Sequence, residues 1–159
     1  MKRERKGRKR VQSGCALAAL ILALTMSFSC KSNDLPQGLS AKFSTNKAEY
    51  GQGEAIHLQL LLRNESGDPM TLTFASSQKY DFWVRNANGG EVWRWSDSRV
   101  FLAVITHVDI LPGATIQLAE TWDQLTLGET AVPPGTYTIH AGIVIGDAPG
   151  IDPVTITIR

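Results

Sequence analysis

Residues 76–96 read SSQKYDFWVRNANGGEVWRWS, and the reading of this stretch decides what fold the chain can form. Aromatics make up only 8% of the sequence, yet five large ones (Tyr80, Phe82, Trp83, Trp93 and Trp95) crowd here, so this is where a core should anchor. Asn88-Gly89 is the strongest short hairpin signal, and a two-residue type I′ turn there predicts the register. Ala87 then faces Gly90, Asn86 faces Glu91, and Arg85 faces Val92. Further along, Val84 faces Trp93, Trp83 faces Arg94, and Phe82 faces Trp95. Side chains alternate between the faces of a strand. Tyr80, Phe82, Val84, Trp93 and Trp95 should therefore share the core side. Asp81, Trp83, Arg85, Val92 and Arg94 should share the outer side. Trp83 stands among charged residues, where a cation–π pair with Arg94 is worth about 0.5–1 kcal/mol. Trp83, Arg94, Arg85 and Asp81 make up a candidate partner-binding face.

The same period of two continues away from the hairpin. Ile56, Leu58, Leu60 and Leu62 fall on one face, with His57, Gln59 and Arg63 on the other. Leu72 and Phe74 pair up. So do Tyr137, Ile139, Ala141, Ile143 and Ile145, and later Val154, Ile156 and Ile158. Turn residues interrupt these runs at 65–69, Asn88-Gly89, Pro112-Gly113, Pro133-Pro134-Gly135 and 147–150. Helical periodicity is nearly absent. Short alternating strands with turns between them predict an all-β fold, an antiparallel immunoglobulin-like β-sandwich over residues 39–159.

Upstream of that domain the chain changes character. Residues 1–30 hold seven of the 16 Lys/Arg and one of the 15 Asp/Glu, leaving nine basic and 14 acidic residues for the rest. The remainder is thus acidic and has no basic patch to neutralise phosphates, which argues against nucleic acid as a partner. A basic start, an apolar run from Cys15 to Phe28 and small residues before Cys30 read as an export signal over residues 1–30. The run is shorter than the roughly 20 residues of a membrane-spanning helix. LTMSFSC resembles a lipoprotein lipobox, in which Cys30 becomes the lipidated first residue. Cleavage without lipid and an uncleaved anchor are the alternatives. Residues 31–38 read as a flexible tether. Both cysteines, Cys15 and Cys30, lie in the leader, so no disulfide staples the exported domain. The expected location is the cell envelope, held to a membrane by lipid, or else secreted or periplasmic.

GEAIHLQLLLRN, TLTFASSQKYDFWV, GGEVWRWS, LPGATIQLAETWDQ and VPPGTY together resemble, in order, the BsuPI intracellular proteinase inhibitor domain. The resemblance covers roughly Phe43 to Ile145. Its most specific pieces are Ser77-Gln78-x-Tyr80-Asp81-Phe82, Trp93-x-Trp95-Ser96 and Trp122-Asp123-Gln124. Tyr80, Phe82, Trp93, Trp95 and Trp122 form the aromatic motif expected in its core. The resemblance implies a β-sandwich and inhibition of a bacterial subtilisin-like serine protease. The leader sets this chain apart, because an exported protein does not meet an intracellular protease.

Chemistry of other kinds finds no support in the sequence. There is no nucleophile elbow, phosphate loop, His-Glu-x-x-His or Cys-x-x-Cys pair. His57, His107 and His140 stand singly, as solvated or hydrogen-bonded imidazoles, and no metal or cofactor is expected. Asp81, Asp97 and Asp123 accompany the aromatics, where backbone hydrogen bonds and arginine pairs explain them better than acid–base work. The chain is therefore read as a binding protein, not an enzyme, and as a monomer. One reading is an inhibitor offering an extended loop to a protease, Asp97–Thr106 or Thr126–Pro134, the latter stiffened by Pro133-Pro134. The other is an envelope module that holds a protein or glycan through the Trp83 face.

Overall fold

The computed structural model describes residues 35–146 and 151–159; the leader, Cys30 and the start of the tether lie outside the described residues. Ten strands follow one another: β1 Leu39–Thr45, β2 Glu49–Tyr50, β3 Ile56–Asn64, β4 Met70–Phe74, β5 Tyr80–Asn86, β6 Glu91–Arg94, β7 Thr106–Ile110, β8 Thr115–Trp122, β9 Gly135–Ile143 and β10 Val154–Ile158. One sheet has the order β1-β3-β8, the other β2-β10-β9-β5-β6, and β4 and β7 form a two-stranded ribbon. The all-β sandwich is thus present. All pairings are antiparallel except β2 with β10, where Thr157 lies beside Glu49 and Ile158 beside Tyr50. That parallel pair joins the end of the chain to a strand near its beginning, a long-range contact that no local pattern specifies.

The alternating positions fill the core. Ile56, Leu58, Leu60 and Leu62 from β3 are buried together with Leu72, Phe74, Phe82, Val84, Tyr137, Ile139, Ala141, Ile143, Ile156 and Ile158. Aromatic contacts join the two sheets: Phe43 of β1 meets Phe82 of β5 at 5.7 Å between centroids, and Trp122 of β8 meets Tyr137 of β9 at 5.9 Å. Burying a side chain of this kind stabilises by about 1.5–3 kcal/mol.

Two buried amides hold the loop ends. Asn64 donates from Nδ2 to the carbonyls of Asp68 (2.8 Å) and Ile110 (2.9 Å), and its Oδ1 accepts from the N–H and hydroxyl of Ser66. Gln124 donates to the carbonyls of Gly51 (2.8 Å) and Glu54 (2.9 Å) and accepts from Gly53 N–H. Each satisfies backbone groups that burial would otherwise leave unpaired.

Two boundaries differ from the expectations. Leu35–Gly38 belongs to the ordered fold, not to a tether: Leu35 packs against the core, and the Gly38 carbonyl accepts from Glu65 N–H at 2.7 Å. The hairpin also turns differently. Gly89 N–H donates to Asn86 O and Asn86 N–H to Gly90 O, so the connection is a three-residue loop with Gly89 at φ +80°. The Asn86 side chain decides this, because its Oδ1 accepts from both Asn88 N–H and Gly90 N–H at 3.0 Å. The extra loop residue shifts the pairing by one, which sets Arg85 against Glu91. A bulge between Val84 and Arg85 then restores the register, so Val84–Trp93 and Trp83–Arg94 pair as expected. Val92 is the bulged residue and packs against the core instead of sharing the outer face. The strand ends at Arg94, and Trp95 begins a 3-10 turn, Trp95–Ser98, instead of facing Phe82 across the ladder.

Candidate functional site

The 3-10 turn leads into RVFLAVI, residues 99–105, between β6 and β7. Here the usual sorting of side chains fails: Val100 is 96% exposed, Leu102 69%, Ile105 66% and Val104 48%. Single exposed apolar residues are ordinary, but here four fall within six positions of one segment. Arg99 is extended, at φ −125° and ψ 154°, and further on Val104 N–H bonds back to Leu102 O at 2.9 Å in a tight turn.

The crowded aromatics of the hairpin hold this loop in place. Trp95 is buried and stacks on Tyr80 at 4.6 Å, and Phe101 packs against it, tilted, at 5.8 Å. The Arg99 guanidinium lies 4.2 Å from the centroid of the Trp95 ring. Glu120, on the inward side of β8, accepts the Tyr80 hydroxyl at 2.6 Å and stands 3.7 Å from Arg99. Burial, then the hydrogen bond and charge of Glu120, push the Tyr80 phenol well above its ordinary value. Tyr80, Trp95 and Glu120 therefore form a platform under the loop, to which Arg99 is tied.

Ser77 pins the far side. Its N–H donates to Leu102 O and its hydroxyl accepts from Leu102 N–H, both at 2.9 Å. Thr106 adds a bond from its hydroxyl to Ser76 O at 3.1 Å. Asp81 ties down the 3-10 turn, accepting from Ser96 N–H (3.2 Å), Ser96 Oγ (2.7 Å), Phe82 N–H and Arg94 Nη1 (2.9 Å). Of the motif singled out in the sequence, Ser77, Tyr80, Asp81, Trp95 and Ser96 all act at the base of this loop. Phe82 and Trp122 lie in the core, where the Trp122 indole donates to Leu125 O at 2.8 Å, and Trp93 is half-buried, 6.1 Å from Trp122.

The structure brings Trp83, Arg94 and Asp81 together on the outer face and leaves Arg85 exposed beside them. Trp83 is half-buried: the His140 ring stacks on it at 5.2 Å and 4°, and the Arg94 guanidinium sits 5.0 Å from its centroid. Arg94 also donates to both oxygens of Glu91, at 2.8 and 2.7 Å. These bonds hold the Glu91 carboxyl below its ordinary value. Burial, followed by Arg85, lowers His140. The other two histidines bond to threonines, His57 to Thr121 and His107 to Thr73. No cluster of three or more His, Cys, Asp or Glu among the described residues fits a metal ion. The loop's reach was visible in the sequence. The roles of Ser77, Arg99 and Glu120 beneath it were not, since each depends on a contact over 20 or more residues.

A pinned loop thus displays apolar side chains from a β-sandwich. The model of the BsuPI family, intracellular proteinase inhibitor, matches residues 43–147, and the chain belongs to that family. A protease is the kind of partner that its description implies. No curated protein matches the sequence. Among solved structures, similar chains are the alkylpurine DNA glycosylase AlkC of Pseudomonas fluorescens and the β-glucosidase EmGH1 of Erythrobacter marinus. The first has a TM-score of 0.48 at 15% identity, over 77% of this chain and 30% of that one. The second has a TM-score of 0.48 at 14% identity, over 76% and 15%. The CARDB domain of PF1109 from Pyrococcus furiosus has a TM-score of 0.42 at 14% identity, over 76% and 87%. The chain thus spans less than a third of the first two, and at these scores the likenesses carry no functional meaning for it.

Proposed function

We propose that this protein inhibits a subtilisin-like serine protease outside the cytoplasm, by laying residues 99–105 in the protease cleft. The observation that carries the reading is the display of Val100, Leu102, Val104 and Ile105 on a segment clamped by Trp95 and Ser77. A protease binds its substrate as an added extended strand, with side chains seated in pockets. A loop already held at Phe101, Leu102 and Thr106 loses little entropy on binding. The loop is favoured over the Trp83 face because Trp83 is stacked between His140 and Arg94 instead of standing free.

The leader supplies the location. Export and acylation of Cys30 would hold the monomeric inhibitor at a membrane surface, with about 0.8 kcal/mol gained per buried CH₂ of the acyl chains. The deciding experiment is a titration of subtilisin with the detergent-solubilised full chain. Inhibition with the chain left intact supports the proposal. Cleavage within 99–105 without inhibition defeats it.

A further inference from the structure

Resting on the inhibitory reading of the loop, we infer that Val100 is the residue that enters the primary specificity pocket of the protease, which must then be apolar and uncharged. Its neighbours are held and it is not. Arg99 is fixed by Trp95 and Glu120, Phe101 by Trp95, and Leu102 by two bonds to Ser77. Val100 is left with 96% of its surface open, the most exposed large apolar residue among those described. No hydrogen bond among the described residues uses the main-chain N–H or C=O of Val100 or Phe101, so both are available to pair with the edge of a protease cleft.

The other exposed side chains are poorer choices. Both main-chain groups of Leu102 are taken, since its carbonyl accepts from Ser77 and Val104 and its N–H goes to the Ser77 hydroxyl. Val104 is drawn back by its own bond to Leu102. Ile105 adjoins Thr106, the first residue of β7, which is tied to Ser76. Val100 also suits the task chemically. A β-branched side chain has little χ1 freedom to lose, and its short apolar body fits a shallow apolar pocket. The pins on either side keep the peptide seated, so the loop binds as a substrate does without being released as a product.

The test is an exchange of specificity. The full chain, Val100→Arg and Leu127→Arg are titrated against elastase and subtilisin, whose pockets are apolar, and against trypsin, whose pocket carries an aspartate. Val100→Arg should weaken inhibition of the apolar-pocket enzymes by about 100-fold or more, because an unpaired charge is costly to bury there. The same change should create inhibition of trypsin, and Leu127→Arg, on an exposed residue of the other loop, should do neither. Both changes sit on the surface, and matching urea melts of the three chains verify that the fold is unaltered. Inhibition by the unaltered chain that survives Val100→Arg overturns the assignment of Val100 and leaves the loop reading standing. If the unaltered chain inhibits none of the three enzymes, the inhibitory reading fails and the assignment goes with it.

Discussion

Two loops of similar length leave the sandwich, and they keep their shapes by opposite means. Thr126–Pro134 bonds mostly to itself, with Gln52 and Tyr137 holding its far end. Thr126 N–H donates to Thr130 O, Glu129 N–H donates to Thr126 O with Glu129 at φ +58°, and Leu125 bridges to Ala131. Its one large exposed apolar side chain is Leu127. Residues 99–105 make a single bond of their own, Val104 to Leu102, and are otherwise held from outside by Ser77, Trp95 and Glu120. A loop that spends its main chain on itself offers little to a partner. A loop held by its scaffold keeps its main chain and apolar side chains available, and the scaffold carries the cost of rigidity.

Emptying the scaffold should break the comparison most sharply. Trp95→Ala removes the ring on which Tyr80, Phe101 and Arg99 all rest, and should cost about 3–5 kcal/mol in a urea melt. Limited proteolysis of the folded mutant should open residues 99–105 while 126–134 stays resistant. Equal protection of both loops would show that the first is self-supporting after all. The counterpart on the other side is Gln124→Ala, which strands the carbonyls of Gly51 and Glu54 and the N–H of Gly53. About 1–3 kcal/mol is expected from these unmet groups, with the 99–105 loop unaffected in hydrogen exchange. Ser77→Ala removes a single hydroxyl acceptor and should cost about 1 kcal/mol. Its stronger signature is faster exchange at the Leu102 amide.

The smallest effect expected is a dependence on alkaline pH. Each loop has a tyrosine beside it whose phenol is raised, Tyr80 beneath 99–105 by burial and Glu120, and Tyr137 after 126–134 by burial alone. Tyr137 donates to Pro133 O at 2.7 Å, at the foot of the 126–134 loop. A folded-state value above the ordinary 10 means that the unfolded chain gives up its proton first. The stabilisation is then complete below pH 10 and declines as pH rises beyond it. Urea midpoints at pH 8 and 10.5 should fall for the unaltered chain, less for Tyr80→Phe, and by an intermediate amount for Tyr137→Phe. A larger rescue by Tyr137→Phe would reverse the expected order of the two tyrosines.

Much of this was legible in the residues. The period of two in β3, β9 and β10 announced which side chains face the core, because alternation along a strand is a local property. The hairpin was legible as a hairpin, and its Trp83–Arg94 pair was read correctly, although two irregularities had to cancel to produce it. Asn86 selects the three-residue loop, and the bulge at Val92 takes the extra residue back. A rule based on the Asn-Gly dipeptide does not include the reach of a side chain two positions earlier.

By itself, then, the sequence determined the strand class, the faces of the strands, the aromatic cluster and the presence of a reachable loop after it. Tertiary structure alone decided what the cluster is for. Tyr80 and Glu120 are 40 residues apart, and Ser77 and Leu102 are 25 apart, on segments that become neighbours only once the sheets have assembled. Local alternation records whether a side chain points inward or outward. It cannot record which inward-pointing groups meet, because that depends on strand order. The carboxylate on the inner side of β8 makes sense only when the Tyr80 hydroxyl and the Arg99 guanidinium have been brought to it.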